Sequence, residues 1–484
     1  MLTVLGLGPG DASLLTREAW EVLSQAQIVY LRTRKHPTVK GLPSHLKLRS
    51  FDRVYDSGED FAQVYAVITK KVVTLARKGD VIYAVPGHPL VGESTVPQIL
   101  AQAKADGIET RIVSGLSFIE PVLETAAANG EMLDAMNGLQ IADGIEIAAM
   151  HHPPLNPDAP ALVAQVYSRA VASDVKLTLM NQYPPTHPVL VMDGAKGKAR
   201  RVPIHQMDHA DTFDHLTSLI VPALPAPASF EALQETMAYL RAPEGCPWDQ
   251  EQTHESLRNT LLEETCEVLD AIDAGDMQAL QEELGDLLFN VLFQVQMATE
   301  AEEFRMTDVI GEIDAKLKRR HPHVFGELKV KDTGEVLRNW DAIKKNEEKT
   351  HGKPKRESAL DGVPRSLPAL ARTQKLASRA ERGGFKWGNL QQRLDKVHEE
   401  LNEVLTAPDA QNRAEEVGDL LFMVADLAMA WDVDAESALR EANNKFVRRF
   451  HAMERIARER DWKMKEMDDV ALLNLWKEAK KIKS

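Results

Sequence analysis

Hydrophobic and polar positions divide the chain into two textures. Up to about Leu219, short apolar runs alternate with amphipathic stretches. Thr3–Leu5 has the pattern of a short strand and ends in Gly6-Leu7-Gly8-Pro9-Gly10-Asp11; Ala19, Val22, Leu23 and Ala26 then recur at helical spacing. Val81–Val85 is a second buried-strand pattern, closed by Pro86-Gly87-His88-Pro89, and Arg111–Val113 runs into Ser114-Gly115-Leu116-Ser117. Strand, glycine-rich turn and helix in repeated order predict an α/β domain with a largely parallel sheet over residues 1–220. Residues 221–229 are proline-rich and read as a linker. Beyond them helical periodicity dominates, β-branched residues thin out and charge rises. A second break, around residues 351–365, separates two all-α segments, 230–350 and 366–484. The fold class expected is therefore multidomain, α/β at the front and all-α behind.

The two helical segments repeat one another. Glu263-Glu264-Thr265-Cys266-Glu267 followed by Glu283-Leu284-Gly285-Asp286 matches Glu399-Glu400-Leu401-Asn402-Glu403 followed by Glu416-Val417-Gly418-Asp419. Lys316, Arg319 and Arg320 likewise match Lys445, Arg448 and Arg449, in the same order. The helical half is a duplicated module.

Composition narrows the partners. The 484 residues carry a formal net charge of −15, which disfavours a nucleic-acid backbone as the main partner and still allows acidic clusters to hold divalent cations, which can recruit polyphosphates. Two cysteines cannot build a disulfide framework, so a reducing cytoplasm fits. No apolar run reaches the ~20 residues needed to span a bilayer, and the first residues lack the charged leader of a signal peptide. A soluble cytoplasmic protein is expected, with no membrane partner.

The chemistry lies in the repeated carboxylates. Residues three or four apart share a helix face, so Glu264 and Glu267 point one way, as do Glu283 and Asp286, and likewise Glu400 with Glu403 and Glu416 with Asp419. A single Glu-x-x-Glu on a helix is usually a solvated face. Duplication, and the placing of Asp286 and Asp419 inside apolar runs that should pack, favour four carboxylates meeting across an antiparallel helix pair. Magnesium, which prefers oxygen ligands and retains waters, is the natural counter-ion. Lys445 and Arg448, one turn apart, suit phosphate oxygens, although an ordinary basic surface is an even alternative. His321 and His323 without further ligands make a poor zinc site.

With these motifs in hand, the chain from about Phe230 onward resembles the MazG family of nucleoside triphosphate pyrophosphohydrolases. Gly245-Cys246-Pro247-Trp248-Asp249 and Arg319-Arg320-His321-Pro322-His323-Val324-Phe325 extend the likeness to two-module members. The resemblance implies an Mg²⁺-dependent all-α module that forms a homodimer and splits nucleoside triphosphates to monophosphate and pyrophosphate. It implies metal ligands at Glu400, Glu403, Glu416 and Asp419, and at Glu264, Glu267, Glu283 and Asp286 in the first copy. It further implies that Asn443, Lys445 and Arg448 hold phosphate or sugar and that Trp387 lines a base pocket, a core position for Trp387 being about as expected. Asp314 stands where the second copy has Asn443, and a negative charge beside a triphosphate is unfavourable. The second copy is therefore expected to carry the main activity.

The front segment resembles the tetrapyrrole (corrin/porphyrin) methylases, through Gly6-x-Gly8-x-Gly10-Asp11, Pro86-Gly87-His88-Pro89, Ser114-Gly115-Leu116-Ser117 and Asp143-Gly144. That resemblance implies two α/β lobes holding S-adenosylmethionine, with Gly8, Gly10, Asp11, Gly87 and Ser114 near the cofactor. His88 departs from the family's Gly-Asp-Pro. Two other readings stay open: a methyltransferase whose helical half is a dimerisation scaffold, and a nucleotide sensor without turnover.

Overall fold

The computed structural model describes residues 1–57, 61–193, 198–209, 213–214, 216–350 and 358–481, so the front of the expected 351–365 linker lies outside the described residues. The chain forms two compact units, Met1–Val309 and Ile310–Ser484.

In the first unit, β1 (Leu2–Gly6), α1 (Arg17–Gln25), β2 (Ile28–Leu31), β3 (Lys47–Ser50), α2 (Asp52–Ser57), α3 (Phe61–Ala76), β4 (Val81–Val85), α4 (Thr95–Ala105) and β5 (Thr110–Val113) build one lobe. Its sheet is wholly parallel, in the order β3-β2-β4-β1-β5. Both faces of the sheet are covered, which is why β1 is buried at every position: Leu2 and Val4 pack towards α3 and α4, Leu5 towards α1. After α5 (Ile119–Ala128) the second lobe contains β6 (Gln140–Asp143), α6 (Gly144–Ala148), β7 (Ala161–Ala164), α7 (Arg169–Leu179), β8 (Pro188–Asp193), β9 (Lys198–Pro203) and β10 (Thr217–Val221). Here the largely parallel expectation fails. Only β6–β7 is parallel, while β7–β10, β10–β8 and β8–β9 run antiparallel. Only four residues separate the end of β8 from the start of β9, fewer than a crossover connection needs, so these two strands can only pair antiparallel.

The proline-rich 221–229 stretch is docked. Leu224 donates to the Pro157 carbonyl at 2.8 Å, the Asp158 carboxylate accepts from the Ala228 amide at 2.6 Å, and Ser229 then caps the first helix of the helical half. That half begins with α8 (Phe230–Arg241), α9 (Pro247–Gln250), α10 (Arg258–Ala274) and α11 (Met277–Glu300). The unit boundary falls within α12 (Met306–Arg320). The second unit continues with α13 (Pro322–Phe325), α14 (Thr333–Thr350), α15 (Ala369–Arg382), α16 (Leu390–Thr406), α17 (Ala410–Ala430), α18 (Ala435–Glu459) and α19 (Asp469–Ala479).

Candidate functional site

Each carboxylate group sits on a helical hairpin. Gly275, at φ +67°, ends α10 in the left-handed conformation, and Asp276 at once caps α11 by accepting from the amides of Gln278 and Ala279. In the second copy a capping box between Asn389 and Gln392 starts α16, and Asp409 caps α17 after a short link. Turns this tight force the paired helices antiparallel.

In the second copy, Glu400, Glu403 and Glu416 each offer a carboxylate oxygen within 4.8 Å of the others. Glu400 is buried, Glu416 half-buried and Glu403 exposed. Desolvation, then the charges of Glu403, Asp419 and Glu400, push the Glu416 carboxyl above its ordinary value. Asp419 thus belongs to the same electrostatic cluster. The first copy repeats the arrangement: oxygens of Glu264, Glu267 and Glu283 lie within 4.8 Å of one another. The Glu264 carboxyl is raised by desolvation and by Asp286, Glu267 and Glu283. All donors are carboxylate oxygens, and carboxyls raised by desolvation and by one another's charge are what a hard divalent cation relieves.

The expectation that Asp286 and Asp419 lie in packed apolar runs needs correction, since both are exposed. The runs pack by one side only. Phe289, Leu292 and Phe293 join the core of the first copy, but Leu284 is 48% exposed, Leu288 38% and Val291 39%. Val417, Leu421 and Val424 repeat this outward row at 40%, 51% and 45%.

Two features of the second copy have no sequence motif behind them. Lys396 bridges Glu400 at 2.9 Å and Glu399 at 3.0 Å, and these contacts hold its ammonium pKa above the ordinary value. Two turns from the carboxylates, Arg393 reaches Asp426 at 2.8 Å and also pairs with Glu381. Arg393 and Asp426 are both buried. Counting seven residues back from Glu264 and seven on from Asp286, the first copy has Leu257 and Phe293, two core residues, at the matching places.

The other expected residues lie apart. Asn443, Lys445 and Arg448 are exposed on α18, and Arg448 pairs with Glu441 of the same helix at 2.7 Å. Trp387 is half-buried, its ring edge-on to Phe385 at 5.0 Å. Among the described residues, no hydrogen bond or ion pair joins any of these four to the carboxylates. Arg449 instead lies over the Trp476 ring at 5.7 Å, with Lys480 at 5.9 Å from the same ring.

At the carboxyl ends of the first lobe's strands, Gly6, Gly87 and Gly115 crowd together, and a Cβ on Gly115 would meet the Gly87 carbonyl at 2.5 Å. Gly8 and Gly87 exchange backbone hydrogen bonds at 2.8 and 3.3 Å. Gly87, at φ +67°, has its Cβ side open, with nothing nearer than 4.0 Å. Asp11 caps the turn at Ala12–Leu14, and bonds from Ser13 lower its carboxyl pKa. The Gly10 carbonyl accepts from Thr38 at 2.6 Å and that of Ser114 from Thr16 at 2.9 Å. Sequence reading missed the pairing of half-buried Arg32 with buried Glu93, with Tyr55 and Tyr65 around the guanidinium. No local motif announces it.

Comparison with known proteins agrees with both halves. The MazG nucleotide pyrophosphohydrolase domain matches residues 252–325. A nucleoside triphosphate pyrophosphohydrolase of Escherichia coli is 44% identical over 257 residues, 52% of this chain and 97% of that one. The chain belongs to the MazG family. A Thermotoga maritima member, named nucleoside triphosphate pyrophosphohydrolase/pyrophosphatase MazG, is 40% identical over 251 residues, covering 52% and 95% of the two chains. The second module, at residues 372–446, matches the phosphoribosyl-ATP pyrophosphohydrolase family. Residues 1–196 match the tetrapyrrole (corrin/porphyrin) methylases, so a methylase-like domain is fused to the MazG modules. The Bacillus subtilis protein YabN is 36% identical over 496 residues, 99% of this chain and 98% of its own, and so shares the whole arrangement. Among solved structures, a Thermus thermophilus uroporphyrin-III-C-methyltransferase covers 46% of this chain and 94% of its own, at 20% identity and a TM-score of 0.36. Among the described residues no helix is long and apolar enough to cross a membrane.

Proposed function

We propose that the protein is a magnesium-dependent nucleoside triphosphate pyrophosphohydrolase whose principal site is the second module, with a fused domain that binds S-adenosylmethionine. The observation that carries the reading is the convergence of Glu400, Glu403 and Glu416 within 4.8 Å, with Asp419 adding to the repulsion at Glu416. The oxygen-only donor set fits Mg²⁺, which supplies charge neutralisation for phosphate oxygens and a polarised water when bound. Glu400, Glu403, Glu416 and Asp419 hold the ion. Lys396 fixes Glu400, the most buried of the four, from 2.9 Å away. One nearby glutamate orients or deprotonates the attacking water. As that water bonds to the α-phosphorus, the bond from the α-phosphorus to the bridging oxygen breaks and pyrophosphate leaves.

Lys445 and Arg448 hold phosphate oxygens, Asn443 phosphate or sugar, and Trp387 the base. Arg449 over Trp476 offers a second cation-edged platform on the same module. The first copy, through Glu264, Glu267, Glu283 and Asp286, is the weaker site. The outward rows Leu284, Leu288, Val291 and Val417, Leu421, Val424 support a homodimer, because contiguous apolar rows of this kind mark association surfaces. The free thiols Cys246 and Cys266 fit a cytoplasmic setting.

For the methylase-like domain, the open side of Gly87 and the crowded glycines beside it leave backbone accessible to a ligand, which fits S-adenosylmethionine. Gly8, Gly10 and Gly87 shape that cradle, with Asp11 and Ser114 fixing its turns. Product analysis over a panel of nucleoside triphosphates with Mg²⁺ tests the main reading: pyrophosphate is expected, and orthophosphate or no product overturns it. Calorimetry with S-adenosylmethionine tests the second site, with one equivalent expected.

A further inference from the structure

The duplicated modules allow an internal comparison of their basic helices. In the second copy, Arg448 reaches along its own helix to Glu441, and Arg449 faces the Trp476 ring. In the first copy the matching residues, Arg319 and Arg320, both turn onto one carboxylate. Arg319 Nε meets Glu347 Oε1 at 2.7 Å; Arg320 meets Glu347 Oε2 through Nη2 at 2.7 Å and Nε at 3.1 Å. Glu347 sits on α14, the helix that also carries Trp340, whose ring lies 6.1 Å from that of His321.

Two guanidinium groups converging on a single anion is the geometry by which proteins grip phosphate, and a carboxylate is the nearest mimic that a side chain offers. His323 Nδ1 is closed off from solvent and has no hydrogen-bond partner among the described residues, and its ring lies 5.7 Å from that of His321.

We propose that Arg319 and Arg320 form a phosphate-class oxyanion site in the first module, which the chain's own Glu347 occupies and keeps closed. The inference rests on the reading that the basic helix of each module serves phosphates, and it adds that the first module's basic helix is weakened by a built-in competitor. The arginines hold the Glu347 carboxyl at about 2, well below the usual carboxylate range, so the competitor stays ionised throughout the physiological range. The ligand class is an inorganic or nucleotide-borne phosphoanhydride.

The experiment is calorimetric titration of the full-length protein with inorganic pyrophosphate, in chelator so that no metal bridges the anion to carboxylates. Glu347→Gln is expected to bind one more equivalent than the unaltered chain, at least tenfold more tightly than any binding at that site before substitution. The added equivalent is expected to vanish in Glu347→Gln/Arg320→Ala. A folded Glu347→Gln protein with unchanged stoichiometry overturns the proposal. Should Glu347→Gln melt below the assay temperature, Glu347→Asp, which withdraws the carboxylate by one methylene, replaces it: intermediate affinity supports the proposal and no gain overturns it. Turnover of the unaltered chain with Mg²⁺ is measured in parallel. Its absence would sink the pyrophosphohydrolase reading while leaving the binding result to stand or fall by itself.

Discussion

Removing one member of the Arg393–Asp426 pair should open the second hairpin. Both groups are buried, and the pair links α16 to α17 seven residues from Glu400 on one side and from Asp419 on the other. Among the described residues, Asp426→Ala would leave the buried Arg393 guanidinium with only Glu381 as an ion-pair partner. Loss of one partner from a buried pair costs roughly 3–5 kcal/mol. Desolvation already pushes the Asp426 carboxyl up against the pull of Arg393, so the native pair is itself held at some cost. The first copy supplies the control, because Leu257 and Phe293 fill the matching places. The double change Arg393→Leu/Asp426→Phe should be near neutral or stabilising, since apolar replacement of a whole buried pair often is. Amide hydrogen exchange along α16 and α17 reads the local opening free energy. Exchange should speed up roughly a hundredfold or more in Asp426→Ala, at about 1.4 kcal/mol per tenfold, and return to the native rate in the double variant. If Asp426→Ala exchanges at the native rate, or the double variant is as open as the single, the pair does not brace the hairpin. Turnover separates bracing from chemistry: the double variant should keep activity only if hairpin register is all that the pair supplies.

Three further outcomes are expected. Glu403→Ala and Asp419→Ala should each lower turnover at least a hundredfold in a pyrophosphate-release assay, with unchanged circular dichroism, and normal turnover in both would move the site elsewhere. Glu267→Ala should cost less than Glu403→Ala in the same assay, and equal losses would end the ranking of the two copies. The Glu347 carboxyl, held at about 2 by Arg320 and Arg319, gives stability that is complete above the unfolded value of about 4.3 and lost as pH falls towards 2. Exchange at α14 should therefore rise over that acid window in the native chain but not in Glu347→Gln, and identical profiles would refute the linkage.

What could be read from sequence was local. Carboxylates at i and i+3, a glycine after a helical run and a cap residue before the next are short-range facts, so both hairpins and their acidic faces were legible. Strand runs such as Val81–Val85 were legible for the same reason. What failed was long-range. Arg393 and Asp426 lie 33 residues apart and each reads alone as a surface charge, although the repeat holds a clue: both members of the Leu257–Phe293 pair change together. Helical phase did not decide between Arg448 and Arg449 as neighbours of Lys445, because three and four residues both return to one face. Whether the apolar run around Asp286 packs depends on what covers its outer row, and periodicity does not say whether the cover belongs to the same chain.

If each cluster takes up the proposed cation, the contrast between the copies also predicts how each hairpin would depend on it. Repulsion among four carboxylates is common to both, but compensation is not. In the second copy Lys396 lies 2.9 Å from Glu400, and the Glu416 carboxyl is raised. In the first, Thr260 stands at the position of Lys396, and both Glu264 and Glu283 are raised. A raised folded pKa means that the folded state binds more protons, so without metal the stability of the first hairpin falls as pH rises through the interval between the unfolded and folded values. A bound divalent cation reverses that loss. Chelation near neutral pH should therefore accelerate exchange in α10 and α11 more than in α16 and α17, and mild acid should narrow the difference. Installing the missing cation with Thr260→Lys should make the first hairpin less sensitive to chelator. Equal sensitivity in the native chain, or no change in Thr260→Lys, would mean that the lysine does not share the cluster's charge and that its 2.9 Å contact with Glu400 has another purpose.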